Sequence, residues 1–301
     1  ITVGAANTFG TDKRSDDKVA SYSSRGPTRG CYVDENGIKR YDNLIKPDLV
    51  APGNKLIGAS SVSNGWLNWL AKNHPELRIA HALNEAGDYI SLSGTSAAAP
   101  IVAGAAAILM QANPKLTPNL VKAILMYTAQ PLKGFSNFDQ GAGLLNIEGA
   151  TKLASLMELN VASFLPGQPL FQTTEFPNQS SLIAGEKCFW GQGVILNHRF
   201  AYGRGLMTHW QEAYAANTLL QNMISASDSR FRINFRVPDS EQILFSQGVI
   251  LADGVILADG VILADGVILA DGVILADGVI LADGVILADG VILADGVILA
   301  D

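Results

Sequence analysis

Apolar residues group into short runs separated by turns over the first half of the chain. A β-branched, apolar start over Ile1–Asn7 predicts a buried strand. Further short strands are predicted within Lys46–Gly53, between its two prolines, over Leu56–Ser60 and over Tyr89–Leu92. Because these strands are uniformly apolar and helices follow them, the pattern predicts an α/β fold in which helices cover a parallel sheet.

Three helices are predicted after the last of these strands, over Ser96–Gln111, Leu120–Thr128 and Asn146–Met157. Thr117 and Pro118 supply the cap and the first turn of the second helix. Before them, Asn64–Asn84 has helical spacing broken at Pro75, which predicts an insertion of one or two short helices. The insertion contains Trp66 and Trp69. These two side chains either pack the insertion onto the rest of the domain or line a neighbouring cleft.

The last 54 residues, 248–301, repeat the hexad Gly-Val-Ile-Leu-Ala-Asp nine times. Their aspartates dominate the charge, since the net charge is −7 for the whole chain and +2 without the tail. No basic stripe stands out elsewhere, so nucleic acid is not an expected partner. Residues 160–247 lack clean periodicity and are predicted to be a linker followed by an irregular or β-containing region.

Cys31 and Cys188 have no metal-type spacing, and they form either a disulfide or two free thiols. The longest uncharged apolar stretch, about Ala97–Met110, is too short to span a membrane and contains Pro100, which favours a buried core helix. The chain opens at Ile1 in a pattern typical of the middle of a strand. We therefore expect a processed or truncated piece of a longer sequence.

Residues 90–110, ISLSGTSAAAPIVAGAAAILM, place Ser96 where a strand turns directly into an alanine-rich helix. A serine becomes a nucleophile when a base accepts its proton and donors face the developing oxyanion. The first turn of a helix supplies free N–H groups, and Gly94 allows the tight turn before it. The alternative is that Ser93 or Ser96 only caps the helix, as serine often does.

The stretch Gly94–Pro100 resembles the Gly-Thr-Ser-x-Ala-x-Pro nucleophile motif of the subtilisin-like serine proteases, the subtilases. Other segments resemble motifs of that family in the same order: Ile1–Ala5 its upstream strand, Tyr22–Pro27 its Phe-Ser-Ser-Arg-Gly-Pro loop, Lys46–Gly53 its Lys-Pro-Asp-x-x-Ala-Pro-Gly segment, and Gly141–Asn146 its closing Gly-x-Gly-x-x-Asn turn. The resemblance implies a three-layer α/β catalytic domain, incomplete here, over residues 1–157. It also implies that Ser96 is the acylated nucleophile of peptide-bond hydrolysis and that its N–H serves the oxyanion hole.

The other members of the subtilase catalytic set, an Asp, a His and an oxyanion Asn, lie upstream of the nucleophile in that family, and their motifs are missing here. The chain has four histidines, His74, His81, His198 and His209. None of them lies in the family's His-Gly-Thr-His motif. Asn7 follows the strand that the family's oxyanion Asn precedes, so we interpret it as a loop residue. We predict that residues 1–301 alone do not hydrolyse peptides, because upstream sequence supplies the missing groups.

The resemblance further implies polypeptide substrates, an extracellular or cell-surface location, and structural calcium that the motifs assign to no residue; no other cofactor is expected. The predicted organisation has three parts. Residues 1–157 form the subtilase part with an insertion over about 61–88, residues 158–247 an accessory region, and residues 248–301 the repeat tail.

Three structures compete for the tail. Phased as Leu-Ala-Asp-Gly-Val-Ile, each hexad resembles the left-handed parallel β-helix repeat, in which about 18 residues make one coil of a β-solenoid. Val-Ile-Leu-Ala strands joined by Asp-Gly type I′ turns would instead form a meander. The third interpretation is a recently expanded tail without fixed structure. We interpret the regular Asp as a turn former rather than a calcium ligand, because the Gly-Gly-x-Gly-x-Asp repeat is absent.

Two classes of function follow from these patterns. The first is the C-terminal part of a serine endopeptidase that acts through Ser96. The second is a repeat-based structural or adhesion module that carries an inactive subtilase remnant. A hexapeptide-repeat acyltransferase is a weaker third, since the tail alone suggests it and residues 1–157 stay unexplained.

Overall fold

The computed structural model describes residues 1–35, 37, 39–60, 72–79, 89–158, 164–171 and 176–216, and strands between 232 and 300. The chain divides into two compact units. The first consists of Ile1–Arg25, Lys46–Val194 and Tyr202–Phe231. The second consists of Gly26–Ile45, Ile195–Ala201 and Arg232–Asp301.

Up to residue 216, the described strands are β1 (Val3–Asn7), β2 (Lys18–Val19), β3 (Cys31–Val33), β4 (Lys39–Tyr41), β5 (Leu49–Pro52), β6 (Leu56–Ala59), β7 (Arg78–Ile79), β8 (Tyr89–Leu92), β9 (Ser180–Ile183), β10 (Glu186–Phe189), β11 (Gly193–Leu196) and β12 (Arg199–Tyr202). The described helices are α1 (Thr95–Ala112), α2 (Pro118–Thr128), α3 (Asn137–Gln140), α4 (Ile147–Leu156) and α5 (Gly205–Thr208). The three helices predicted from the sequence are thus confirmed as α1, α2 and α4.

A three-stranded sheet with β1 at its centre positions the start of α1. β5 pairs with β1 in parallel, and β2 pairs with it antiparallel on the other side. Ala5 pairs with Ala51, and both are fully buried. α1 packs on β1 and β5. The α/β class predicted from the sequence is therefore confirmed, with a parallel strand pair beneath a helix.

The predicted parallel pairing does not extend to the strands that flank the insertion. β8 lies between β6 and β7 and pairs antiparallel with both. The expectation of one parallel sheet is wrong here, and for β7 and β8 the reason is that only residues 80–88 separate them. A link of that length cannot make the crossover that parallel neighbours require.

The helical spacing predicted for the insertion is wrong after Pro75 where the structure describes it, whereas Lys72 and Asn73, before Pro75, are helical. A short 3-10 turn at Pro75–Leu77 leads directly into β7, so no helix continues through Ile79. β7 instead pairs with the edge of β8 and satisfies backbone groups that β8 would otherwise leave open. Trp66 and Trp69 lie outside the described residues.

Local sequence signals set the ends of the helices. Thr117 Oγ1 accepts the Leu120 N–H at 3.1 Å at the start of α2. Asn146 Oδ1 accepts the Gly149 N–H at 2.9 Å at the start of α4. Each side chain satisfies a backbone donor that the first helical turn leaves without a partner.

Part of the predicted accessory region packs on α2 and α4 within the first unit. Trp190 Nε1 donates to Ser181 Oγ at 3.0 Å, and Asn146 Nδ2 donates to the same oxygen at 3.0 Å. The rings of Tyr127 and Trp190 meet edge to face with centroids 6.3 Å apart. The described residues 164–194 and 202–216 are therefore part of this unit rather than a free linker. The domain boundary at residue 158 stays a prediction.

In the second unit, β3 and β4 form an antiparallel pair in which Cys31 lies opposite Tyr41. β11 and β12, of which Ile195–Ala201 belong to this unit, form a sheet with β13 (Arg232–Arg236). The two cysteines of the chain are both free thiols, with Cys31 exposed and Cys188 of the first unit buried. The free-thiol alternative therefore describes this structure.

The described tail strands are β14 (Phe245–Ala258), β15 (Val261–Ala276), β16 (Val279–Ala282), β17 (Ile286–Ala288), β18 (Val291–Ala294) and β19 (Ile298–Ala300). β14 and β15 pair in parallel, with Gly248 opposite Gly266. That register is a shift of three hexads, and it recurs where β15 pairs with β16, β17 and β18. A meander would pair antiparallel neighbours instead. The β-solenoid itself stays a prediction.

Asp17 is a buried carboxylate with incomplete partners. Its side chain is 1% exposed, Arg14 Nε lies 3.9 Å from its Oδ2, and its Oδ1 has no hydrogen-bond partner. Arg14 is engaged elsewhere, because its guanidinium donates to Gln130 Oε1 at 3.0 Å and to the Leu145 carbonyl at 3.1 Å. Burial therefore raises the pKa of Asp17 to about 6, although Arg14 acts against it.

We expect Asp17→Asn to raise the free energy of unfolding at pH 8 and to leave it nearly unchanged at pH 4. Because the folded-state pKa is raised, the stability that depends on protonated Asp17 is complete below about pH 4 and is lost as the pH rises through about 6. The loss is at most about 3 kcal/mol. Urea unfolding followed by fluorescence measures it, since Trp190 and Trp210 belong to the first unit. The exposed Asp12→Asn is the control, and an equal gain at both pH values would contradict the assignment.

Candidate active site

Ser96 lies in the first turn of α1, directly after the turn that joins β8 to the helix. Gly94 is the N-cap, and no side chain makes a capping hydrogen bond. The Ala97 and Ala98 N–H groups donate to the Gly94 carbonyl at 3.0 and 3.2 Å, whereas the Ser96 N–H has no acceptor among the described residues. Ser96 is also exposed. An accessible hydroxyl and an available N–H thus coincide at the positive end of the helix dipole.

The two serines of this turn do not cap the helix. Ser93 Oγ accepts the Lys55 N–H at 2.9 Å, and it thereby joins the turn after β5 to the turn before α1. Ser96 lies inside the helix rather than at its N-cap. The cap alternative is therefore wrong for both serines, while the nucleophilic role of Ser96 stays a prediction.

Gly53 allows the two turns to approach each other closely. Its carbonyl accepts the Gly94 N–H at 2.8 Å, and its own N–H donates to the Ala6 carbonyl at 3.0 Å. A Cβ at position 53 would lie 2.8 Å from Ala5 Cβ and 2.9 Å from the Gly94 carbonyl oxygen. A larger residue would push the turn before Ser96 away from β1.

Asp48 is a buried acid that joins three of the motifs. Its Oδ2 accepts the Thr2 N–H at 2.7 Å, and its carbonyl accepts the Ala142 N–H at 2.9 Å. Lys46 Nζ lies 2.8 Å from Oδ1, and Lys122 Nζ lies 3.1 Å from Oδ2. Burial raises the pKa of Asp48, but the two lysines and the Thr2 N–H outweigh it and hold the pKa below its ordinary value.

The closing motif Gly141–Asn146 lies along β5. The Val50 N–H donates to the Gly143 carbonyl at 3.0 Å, and the Leu145 N–H donates back to the Val50 carbonyl at 2.8 Å. Gly141 has a φ of +66°, and a Cβ there would lie 2.4 Å from the Pro47 carbonyl oxygen. Only glycine fits this contact, so the close approach to the backbone of Pro47 and Asp48, just before β5, explains the glycine in the motif.

No histidine in the described part of the first unit is hydrogen-bonded to Ser96. The contacts that are described join His74 Nδ1 to Glu76 Oε1 and His209 Nδ1 to Thr208 Oγ1, each at 3.0 Å. His198 belongs to the second unit, and His81 lies outside the described residues. Within the described part of this unit, therefore, no imidazole is placed to take the proton of Ser96.

Asn7 has a local role in the loop after β1. Its Oδ1 accepts the Phe9 N–H at 3.0 Å and a hydrogen from Asn54 Nδ2 at 2.9 Å. These contacts agree with its interpretation as a loop residue. Among the residues that the structure describes, no cluster of three His, Cys, Asp or Glu side chains could hold a metal ion.

α1 is long and apolar, yet it buries only one face. By length and composition alone its 18 residues could cross a membrane, as can many core helices of soluble proteins, and 22% of them are buried. A stripe on β1 and β5 is buried, consisting of Ala98, Val102, Ala105 and Leu109. The opposite face, Pro100, Ala103, Gly104, Ala107 and Ile108, includes no buried residue and is mostly exposed. The prediction of a buried core helix is thus wrong for this face, because no described part of the unit covers it.

Comparisons with known proteins agree with the motifs. Residues 1–150 match the subtilase family. Serine protease AprX of Bacillus subtilis is 39% identical over 150 residues, which are 50% of this chain and 29% of AprX. Minor extracellular protease Vpr of the same species is 30% identical over 192 residues, which are 59% of this chain and 20% of Vpr. The chain spans less than a third of the length of either relative.

Among solved structures, fervidolysin from Fervidobacterium pennivorans, a keratinolytic enzyme related to subtilisin, is 26% identical and matches 50% of this chain and 19% of its own. Its TM-score of 0.34 carries no conclusion about the fold. The assignment follows from the sequence match, which includes Ser96 and all the motifs around it. Through residues 1–150, this chain belongs to the subtilase family.

Proposed function

We propose that this chain carries the nucleophile-bearing part of a serine endopeptidase, in which Ser96 forms an acyl-enzyme with its polypeptide substrate. The observation that carries the proposal is the position of Ser96, exposed in the first turn of α1 with its N–H available. The family match over residues 1–150 supports it. The extracellular location named for Vpr supports an extracellular location for this chain.

The chemistry assigns two roles to Ser96. Its Oγ attacks the peptide carbonyl while a base takes the hydroxyl proton, and negative charge develops on the carbonyl oxygen. Its N–H donates to that oxyanion, and the dipole of α1 stabilises the charge. The base then gives the proton to the leaving amine, and water hydrolyses the acyl-enzyme.

We assign the base, its orienting Asp and the oxyanion Asn to polypeptide N-terminal to Ile1. The apolar face of α1, defined by Pro100, Ala103, Gly104, Ala107 and Ile108, supports this assignment. Polypeptide packed there would remove apolar surface from water, at about 25 cal/mol per Å². This polypeptide would also lie along α1, the helix that presents Ser96. A base that takes the Ser96 proton must lie close to that helix.

A fluorophosphonate probe tests the proposal, because it labels a serine only when a base activates the hydroxyl. We expect residues 1–301 alone to resist labelling. The same chain extended by the polypeptide encoded upstream of Ile1 is expected to be labelled on Ser96, and mass spectrometry identifies the modified residue. Efficient labelling of residues 1–301 alone would contradict the assignment of the base to upstream sequence. An extended chain that hydrolyses peptides without labelling at Ser96 would contradict the nucleophile.

A further inference from the structure

The phenol of Tyr22 lies at the junction of the two turns that set the start of α1. Tyr22 Oη donates to the Gly53 carbonyl at 2.7 Å, and the same carbonyl accepts the Gly94 N–H at 2.8 Å. Burial raises the pKa of the Tyr22 phenol, and the nearby Ser93 hydroxyl and Gly94 N–H offset this only in part. One carbonyl oxygen thus receives two donors, one from Tyr22 and one from the N-cap of the nucleophile helix.

The backbone that carries Tyr22 is anchored on the central strand of the sheet. Ser23 Oγ accepts the Ala5 N–H at 3.0 Å, and the Ser23 N–H donates to the Ala20 carbonyl at 3.0 Å. Ser23 is 4% exposed, whereas Tyr22 is 44% exposed. The Tyr22 ring is therefore not a core side chain. Its hydroxyl reaches Gly53 from a backbone segment that hydrogen bonds of Ser23 hold against β1.

We propose that Tyr22 is a positioning residue for the Ser96 nucleophile. Its hydroxyl restrains the Gly53 carbonyl, that carbonyl restrains Gly94, and Gly94 precedes Ser96 by two residues. A nucleophile and its oxyanion donor need to be held within about 0.5 Å of the productive geometry, so a second donor on this carbonyl improves the alignment of both. The subtilase loop that Tyr22–Pro27 resembles has Phe at this position, so the hydroxyl distinguishes this chain from that motif. The inference rests on the proposed function, because it concerns the same nucleophile.

Tyr22→Phe removes the hydroxyl and keeps the ring. In residues 1–301, we expect the Gly94 amide to exchange with solvent about three- to tenfold faster, the scale of one lost hydrogen bond. In the chain extended upstream of Ile1, we expect kcat per titrated active site to fall about three- to tenfold with KM unchanged. Counting active sites with the fluorophosphonate probe removes any effect of a smaller folded fraction, which a merely structural role would produce.

The matched control is Tyr32→Phe, at a tyrosine that is 62% exposed in the second unit, and it is expected to leave both quantities unchanged. Ser96→Ala separates the two proposals. If it abolishes activity while Tyr22→Phe leaves kcat and Gly94 exchange unchanged, the positioning role is overturned and the proposed function stands. If Ser96→Ala leaves activity intact, the proposed function fails, and the positioning role fails with it.

Discussion

Replacing Ser96 by alanine in the chain extended upstream of Ile1 is expected to lower kcat for peptide hydrolysis by about 10⁶-fold, the scale of loss when a triad nucleophile is removed. The reason is that no other group described near the start of α1 offers a hydroxyl in the same position. Ser93 Oγ already accepts the Lys55 N–H, and Ser93 lies outside the helix. The measurement is kcat and KM for a fluorogenic peptide, and KM is expected to change little because the alanine removes no substrate-binding surface.

Ser155→Ala is the matched control, because Ser155 is exposed on α4 and donates only to the Lys152 carbonyl one turn earlier. It is expected to keep full activity. Residual hydrolysis by Ser96→Ala within tenfold of the unchanged protein would exclude Ser96 as the nucleophile. A loss of activity in both variants would point to unfolding, and the tryptophan emission spectrum of each variant identifies that case.

Local chemistry explains why the sequence predicted the helices and the turn before Ser96. A cap such as Thr117 or Asn146 bonds an N–H three residues ahead, so its effect is contained in a few consecutive positions. The glycines of the motifs are equally local, since each marks a close backbone approach. The segment that each glycine approaches lies far along the chain, and only the structure identifies it. Gly53, for example, accepts the N–H of Gly94.

Longer-range features were missed for the same reason. The ion pair between Asp48 and Lys122 was not predicted from the sequence, although one signal was present. Lys122 is the single charged residue in α2, and a lone cation on an otherwise apolar helix indicates a buried anion. The open face of α1 carried no comparable signal, because an apolar pattern predicts burial without naming what covers each face.

The accessory region, residues 158–247, was the least predictable. It holds short strands and aromatic contacts rather than a periodic pattern, and Trp190 fixes it by packing on Tyr127. Such contacts depend on three-dimensional neighbours, which periodicity does not encode. The tail is the opposite case, since its perfect period allows any shift by six residues. Strand pairing in the structure uses a shift of three hexads, which is the spacing that the β-solenoid hypothesis requires.

Replacing Asp48 by alanine is expected to lower the free energy of unfolding of the first unit by about 3–5 kcal/mol. The carboxylate is 1% exposed, while the side chains of Lys46 and Lys122 are 19% and 24% exposed. Removing it leaves two partly buried ammonium groups without a counter-charge and the Thr2 N–H without its acceptor. Urea unfolding followed by tryptophan fluorescence measures the change, since Trp190 and Trp210 belong to this unit.

The pH dependence and a double mutant separate this ion cluster from an ordinary packing defect. Because the pKa of Asp48 is held low, its contribution is present above about pH 4 and is lost as the pH falls through the folded-state value, so Asp48→Ala and the unchanged protein converge in acid. Adding Lys122→Met removes one orphaned charge, so the double mutant is expected to be more stable than Asp48→Ala alone. Asp12→Ala, at an exposed acid, is expected to change stability by less than about 0.5 kcal/mol. Additive losses in the double mutant would exclude coupling between Asp48 and Lys122.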